Sequence, residues 1–238
     1  MGDSLNRPGM EEQLPAFLAS VEERVAEGEA AAEPPEDLPH LKALVAEGRL
    51  FLEQKRRADL VLPDVTFTGR LDLDLGGRTV QVLNYGRAVT PGDAFLWLPE
   101  EEILVTGDLL VDPVTFALSV YPTEWLETME GLDRLDASIL VPGHGAPMHD
   151  EDHLHATMDA MRVLLELGPE AKGRGLDPDR ARAEIVPELH DMRVRITSDD
   201  PQVNQAFEHQ FVDWFLHRVW DELDGRLSDT IISAIPAR

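Results

Sequence analysis

The 238-residue chain carries 46 acidic and 21 basic residues, and this net charge of −25 argues against nucleic acid and anionic membranes as partners. The absence of Cys excludes disulfides, thiolate ligands and Cys nucleophiles, so His and carboxylates remain as the strong metal ligands. No apolar run approaches the ~18 residues of a membrane-spanning helix, and no apolar export segment opens the sequence, which predicts a cytoplasmic protein.

The first 57 residues are predicted to form a helical segment. Apolar residues recur at helical spacing on both sides of the breaker AAEPPEDLP, which indicates two helices. The pattern changes from residue 58 onward, where short apolar runs alternate with turn residues.

Residues 58–168 are predicted to be rich in strands. The runs are DLVLP, VTFTGRLDLDL, RTVQVLNYG, AFLWLP and EILVTGDLLV, and the Gly-Gly, Pro-Gly and Pro-Glu turns between them are typical of antiparallel hairpins. A helix is predicted over about Thr123 to Leu135, a buried strand in ASILVPGHG, and a further helix over about Asp150 to Leu167.

The stretch GPEAKGRGLDP is interpreted as a linker. Residues 169–238 are predicted to be a C-terminal helical segment, with two helical stretches beyond that linker. Aromatic residues at helical spacing in this segment are predicted to pack in the core or at an interface; they are Phe207, Phe211, Trp214, Phe215 and Trp220. We predict that residues 1–238 form a single domain.

Three loops that follow apolar strands end in polar, glycine-rich turns: GRAVTPGD, VTGDLL with Asp108, and VPGHG with His144. Ligand-binding groups are commonly mounted on such loops. The alternative is that these are ordinary turns, in which Asp108 caps a neighbouring element and His144 is held by a hydrogen bond.

The three loops, taken together and in order, resemble the second half of the metallo-β-lactamase fold over about Leu60 to Leu167. The resemblance implies an αββα sandwich and a site that holds up to two zinc ions. In that family the ligands come from a His-x-His-x-Asp-His loop, a His before Thr-Pro-Gly-Asp, an Asp in a Gly-Asp motif and a His in Pro-Gly-His-Gly. The resemblance makes Asp108 the bridging carboxylate and His144 a ligand of the second metal.

Two departures from the family pattern predict a damaged metal site. Val89 occupies the position of the His that precedes Thr-Pro-Gly-Asp, and an isopropyl group donates no lone pair. No His-x-His-x-Asp-His occurs in the sequence, so we expect a metallo-β-lactamase-like fold that lacks its N-terminal section and has added helices at both ends. Catalytic zinc normally takes three protein ligands and a water, and zinc binding is therefore expected to be partial.

Other residues near these motifs are further candidates for binding a metal or for supporting the ligand loops. His149 and His153 in HDEDHLH would lie on one helix face at i, i+4, a spacing used by helical zinc sites, or would belong to a solvated, acid-rich helix start. His155 lies in the same stretch. Asp93 either orders the Thr-Pro-Gly-Asp turn or supports a ligand loop from behind.

The resemblance implies zinc-dependent hydrolysis of an ester, thioester, lactam or phosphoester small-molecule substrate, from a truncated chain with a degenerate site. The alternative is a non-catalytic binding or assembly subunit. In either case we expect a homo-oligomer or a complex in which another chain covers the exposed sheet.

Overall fold

The structure is a computed structural model that describes residues 8–31, 34–35, 37–57, 61 and 63–227, with side chains from residue 14 onward. The chain divides into two compact units, which are residues 1–66 and residues 67–238. We call them the helical unit and the sheet unit. Among the described residues, no helix is both long enough and apolar enough to cross a membrane.

The helical unit contains the two helices that the sequence predicted, α1 (Pro8–Ala30) and α2 (Leu38–Arg57). Leu18 and Val21 of α1 and Leu38 and Leu41 of α2 are buried. The strand predicted over residues 59–63 lies largely outside the described residues, and the two that are described, 61 and 63, belong to no strand.

The sheet unit is built on five strands that are adjacent in chain order. They are β1 (Arg70–Asp74), β2 (Thr79–Leu83), β3 (Phe95–Leu98), β4 (Ile103–Gly107) and β5 (Ile139–Pro142). The first four strands form successive antiparallel hairpins, which confirms the sequence prediction, whereas β5 pairs with β4 in parallel. The antiparallel run begins at Arg70, later than the predicted start at Val65.

One face of the sheet builds the core and the other is half-buried. The residues opposite one another on the core face are Leu83, Phe95, Trp97, Leu104 and Leu140, all of them buried. Their neighbours on the second face are Val82, Leu96, Val105 and Val141. Because side chains alternate along a strand, the sequence places apolar residues on both faces of these central strands.

The helix α3 (Pro122–Asp133) connects β4 to β5. Pro122 occupies its first turn, where a missing N–H costs no helical hydrogen bond, and Glu124 complements the positive end of the helix dipole. Trp125 is completely buried and donates its indole N–H to the backbone oxygen of Leu109 at 3.2 Å. This bond ties α3 to the loop that follows β4.

The helix α4 (Asp152–Gly173) is longer than the sequence predicted. Residues 168–173 were interpreted as part of a linker, and that interpretation was wrong. Leu164, Gly168 and Ala171 lie on the buried face of α4, and Gly168 packs closely against Val219. Burial of this face over further turns outweighs the helix-breaking tendency of Gly168 and Pro169.

The C-terminal segment has more helical pieces than the two that were predicted. They are α5 (Pro178–Ile185), a 3₁₀ turn (Val186–Leu189), α6 (His190–Thr197), α7 (Pro201–Ala206), a π turn (Phe207–Val212) and α8 (Asp213–Leu223). Asp177 and Asp200 accept backbone N–H groups at the starts of α5 and α7.

The aromatic residues of the C-terminal segment pack as the sequence predicted. Phe207, Phe211 and Phe215 are buried, and Phe211 and Phe215 both contact Trp125 of α3. Trp220 is also buried. This cluster joins the C-terminal helices to the core beneath the sheet, and the sheet with helices at both ends of the chain confirms the predicted mixed α/β class.

Candidate metal centre

Asp108 and His144 lie together at one edge of the sheet. Asp108 directly follows β4, and His144 follows β5 by two residues. Because β4 and β5 are adjacent and parallel, their carboxyl ends meet at the same edge, where ligands commonly bind in α/β sheets. The Nε2 of His144 is 3.5 Å from the Oδ1 of Asp108, and the two side chains are 73% and 64% exposed.

The glycines on each side of His144 are required by close packing. A side-chain carbon at Gly143 would overlap the Oδ1 of Asp108 and lie 2.7 Å from the carbonyl carbon of Gly107. Gly145 has a φ of 93°, and a side-chain carbon there would lie 2.6 Å from the Cβ of Asp112. Only glycine therefore allows the His144 loop to lie against the Asp108 loop.

Backbone hydrogen bonds hold these two loops together. The N–H of Asp112 donates to the oxygen of His144 at 3.1 Å, and the N–H of Gly143 donates to the oxygen of Leu110 at 3.0 Å. The buried hydroxyl of Thr106 also donates to the oxygen of Leu110 at 3.3 Å. The position of His144 relative to Asp108 is thus fixed by main-chain contacts as well as by packing.

Asp93 orders the Thr-Pro-Gly-Asp turn. Its carboxylate accepts the N–H of Thr90 at 2.7 Å and the hydroxyl of Thr90 at 2.8 Å. The amide of Asn84 donates to the backbone oxygen of Asp93 at 2.6 Å, which anchors the turn to the end of β2. Burial raises the pKa of Asp93, the Thr90 hydrogen bonds oppose that rise, and the charge of Asp108 adds to it.

Val89 lies in the core, where it is 8% exposed. Its backbone oxygen accepts the hydroxyl of Ser119 at 2.9 Å, and the backbone oxygen of the neighbouring Ala88 accepts the N–H of Tyr121 at 2.7 Å. These bonds join the loop to the segment that precedes α3. At this position the chain supplies apolar packing and no metal ligand.

The pair formed by Asp108 and His144 fits two ligands of one zinc ion. Two atoms bound to a tetrahedral zinc ion at about 2.0–2.1 Å lie about 3.4 Å apart. The observed separation of 3.5 Å matches that spacing, and the donors are a carboxylate oxygen and an imidazole nitrogen, both ordinary zinc ligands. Two protein ligands are fewer than the three of a catalytic zinc site.

The three His residues of HDEDHLH separate in the structure. The prediction that His149 and His153 share a helix face was wrong, because α4 begins at Asp152 and His149 precedes it. Residues before Glu151 are held instead by the antiparallel bridge between Met148 and Leu140. The Nε2 of His153 lies 3.0 Å from the backbone oxygen of Val111, whereas His155 lies 2.6 Å from Asp133.

The contact between His155 and Asp133 belongs to a second cluster, which also contains Glu151. No sequence motif pointed to Asp133, because it lies in α3, distant along the chain from the other two. Only the packing of α3 against α4 brings them together.

One family model matches more than half of the sequence. A family model described as the metallo-beta-lactamase superfamily matches residues 18–144, and the chain belongs to that superfamily. This confirms the resemblance that the motifs carried.

Among named relatives, a linear primary-alkylsulfatase from Pseudomonas sp. (strain ATCC 19151) is 24% identical over 151 residues, which are 58% of this chain and 28% of that protein. A solved double mutant of a sec-alkyl sulfatase has a TM-score of 0.54 and 17% identity, and the match covers 71% of this chain and 28% of that one. A stereoselective inverting sec-alkylsulfatase from Pseudomonas sp. has a TM-score of 0.50, 16% identity and the same coverage.

The chain therefore spans less than a third of the length of these relatives. At this low identity, the solved structures support the fold alone. The names of these relatives are those of sulfatases, which are hydrolases.

Proposed function

We propose that this chain is a metal-dependent hydrolase relative in which Asp108 and His144 hold a zinc ion at the edge of the sheet. The observation that carries the proposal is the convergence of Oδ1 and Nε2 to 3.5 Å from the ends of two adjacent parallel strands. The fixed loop backbones give both groups a defined position before any metal binds, which lowers the cost of binding.

The proposed reaction is hydrolysis of an ester, and the relatives named as alkylsulfatases favour a sulfate ester of an aliphatic alcohol. A zinc ion at this position would act as a Lewis acid toward an ester oxygen and would make water acidic enough to attack near neutral pH. Asp108 would supply a carboxylate oxygen to the ion and His144 an imidazole nitrogen. Both side chains are open to solvent, so a substrate can approach them.

The supporting residues of this chain position the ligands. Gly143 leaves the space that the Asp108 carboxylate occupies, and the hydrogen bond from Asp112 fixes the backbone of His144. Because two protein ligands hold zinc weakly, we expect a low level of activity, and only when zinc is supplied in excess.

The test is hydrolysis of a chromogenic aryl sulfate and an alkyl sulfate by the purified chain, with zinc and with a chelator. We expect zinc-dependent turnover that falls at least tenfold in Asp108→Asn and in His144→Gln. The matched control is His149→Gln, since His149 is exposed and five residues away from His144. Turnover that survives both substitutions would contradict the proposal.

The second candidate function is a non-catalytic binding or assembly subunit, and the burial of Val89 favours it. The family position of a third ligand is filled by core packing, so the loop contributes to stability without contributing a ligand. The half-buried apolar face formed by Val82, Leu96, Val105 and Val141 would then be a contact surface for another chain. Folded protein with no zinc-dependent hydrolysis of either substrate would support this second function over the first.

A further inference from the structure

Three acidic or basic side chains converge where α3 ends and α4 begins. Asp133 is the last residue of α3, Glu151 immediately precedes α4, and His155 lies in the first turns of α4. Each offers a ligand atom, and these three atoms lie within 4.8 Å of one another. The Nε2 of His155 is 2.6 Å from the Oδ1 of Asp133 and 3.8 Å from the Oε2 of Glu151.

One carboxylate oxygen of Glu151 is buried without a hydrogen-bond partner in the described part of the chain. Its Oε1 is buried from solvent and has no hydrogen-bond partner among the described residues. Its side chain as a whole is 20% exposed. An unpaired, buried carboxylate oxygen is costly, and native proteins normally supply such an atom with a donor, a water or an ion.

The charges around this oxygen increase that cost. Burial and the nearby carboxylate of Asp133 raise the pKa of Glu151, and Asp136 adds to the rise, whereas the imidazole of His155 and the backbone N–H of Ala137 oppose it. Within the described part of the chain, neither Asp133 nor Glu151 forms an ion pair with a Lys or Arg. The imidazole of His155 is the basic side chain that contacts both carboxylates, and it carries a positive charge only when protonated.

We propose that Asp133, Glu151 and His155 form a binding site for a divalent transition-metal ion, most suitably zinc. Two carboxylate oxygens and one imidazole nitrogen make a three-ligand set with room for water at a fourth position. The imidazole favours zinc over magnesium or calcium, which prefer all-oxygen sites. The ion would neutralise both carboxylates, and binding through both oxygens of Glu151 would give Oε1 a partner as well.

The geometry requires only a small adjustment to accept the ion. Atoms bound to one tetrahedral zinc lie about 3.4 Å apart, so the contact between His155 and Asp133 must lengthen and that between His155 and Glu151 must shorten. The side chains of His155 and Asp133 are 43% and 36% exposed, which leaves an open path for the ion.

This site is separate from the Asp108–His144 pair. His144 follows the carboxyl end of β5, whereas Asp136, whose charge acts on Glu151, precedes the amino end of the same strand. The proposal therefore stands independently of the proposed function. It also predicts that the three-ligand cluster binds zinc more tightly than the two-ligand pair.

The test is calorimetric zinc titration of the chelator-stripped full chain at neutral pH, in the double variant Asp108→Asn/His144→Gln. We expect one zinc per chain to bind in this background. Adding Glu151→Gln or His155→Gln should weaken that binding at least tenfold, because each removes one ligand while keeping the side-chain size. His149→Gln, an exposed His outside the cluster, is the matched control and should leave the affinity unchanged.

A second measurement follows zinc binding in the wild-type chain and uses a variant only to assign resonances. The imidazole nitrogen resonances of His155, assigned by their loss in His155→Gln, should shift on addition of one equivalent of zinc, before those of His144. Loss of all stoichiometric zinc in the Asp108→Asn/His144→Gln variant would overturn the proposal. So would wild-type spectra in which His144 responds to zinc and His155 does not.

Discussion

The carboxylate of Asp93 accepts two hydrogen bonds from a single residue, Thr90, one from its N–H at 2.7 Å and one from its hydroxyl at 2.8 Å. Both carboxylate oxygens are thereby engaged in closing the turn between β2 and β3. The pKa of Asp93 nevertheless lies above its ordinary value, since burial raises it more than these bonds lower it.

The raised pKa of Asp93 predicts a pH-dependent effect of Asp93→Asn. A group whose pKa is higher in the folded state stabilises the fold below its ordinary pKa of 3.8, and that stability is lost as the pH rises through the folded-state value. Asn does not ionise, so the free energy of unfolding of Asp93→Asn should rise relative to wild type as the pH increases from about 3.8. The substitution also changes one hydrogen bond, which adds an offset that does not vary with pH.

Urea denaturation of both proteins at several values between pH 4 and pH 7 measures this difference. The control is Asp150→Asn, at an exposed position in the segment before α4. A relative stability of Asp93→Asn that falls with increasing pH would contradict the sign of the shift.

Gly143→Ala should destabilise the loop that carries His144. The new methyl carbon would overlap the Oδ1 of Asp108 and lie 2.7 Å from the backbone carbon of Gly107, so part of the clash is with main chain that cannot rotate away. We expect a loss of about 1–3 kcal/mol in the free energy of unfolding, together with weaker zinc binding by Asp108 and His144.

Gly173→Ala at the end of α4 is the control for Gly143→Ala, because a side-chain carbon there would meet no atom within 4 Å. Chemical denaturation with zinc absent separates the structural effect from the metal effect. Equal stability of the two variants would show that the loop yields more easily than its contacts indicate.

The order of the strands and the two loop residues could be predicted from sequence because both are local features. Alternation of apolar residues and Gly-containing turns marked the hairpins, and strand-end loops marked Asp108 and His144. The continuation of α4 through Gly168 could not be predicted, since it depends on packing against Val219. Asp133 was missed for the same reason, because only tertiary contacts bring the end of α3 to His155.

We propose that the chain associates through the half-buried face of the sheet, and Val105→Lys tests that surface. Val105 lies at the centre of this face, paired with Leu96 on one side and Val141 on the other. A Lys in an apolar contact would be desolvated, so we expect light scattering to find an oligomer for wild type and a smaller species for Val105→Lys.

Ala183→Lys introduces the same charge at an exposed position of α5 and should leave the assembly of wild type unchanged. Circular dichroism establishes that both variants are folded. A wild-type chain that scatters as a monomer over a wide range of concentration and salt would refute association through this surface.

Val89→His tests whether the buried loop position can become a ligand. In the core, where Val89 is 8% exposed, an imidazole without a partner should lower the free energy of unfolding by about 1–3 kcal/mol in the presence of chelator. We expect zinc to reverse this loss, because a third ligand beside Asp108 and His144 would form a Zn–N bond of about 2.0–2.1 Å and complete a three-ligand site. An ion that binds only the folded protein raises its melting temperature, and the rise grows with the ratio of free ion concentration to Kd. The measurement is therefore the zinc-dependent rise in melting temperature, made in the His155→Gln background so that the second cluster does not contribute.

Val89→Asn is the matched control, since it places a polar side chain at the same buried position without an imidazole nitrogen. If zinc stabilises Val89→His no more than Val89→Asn, position 89 serves packing alone, and the non-catalytic function becomes the better account of the chain.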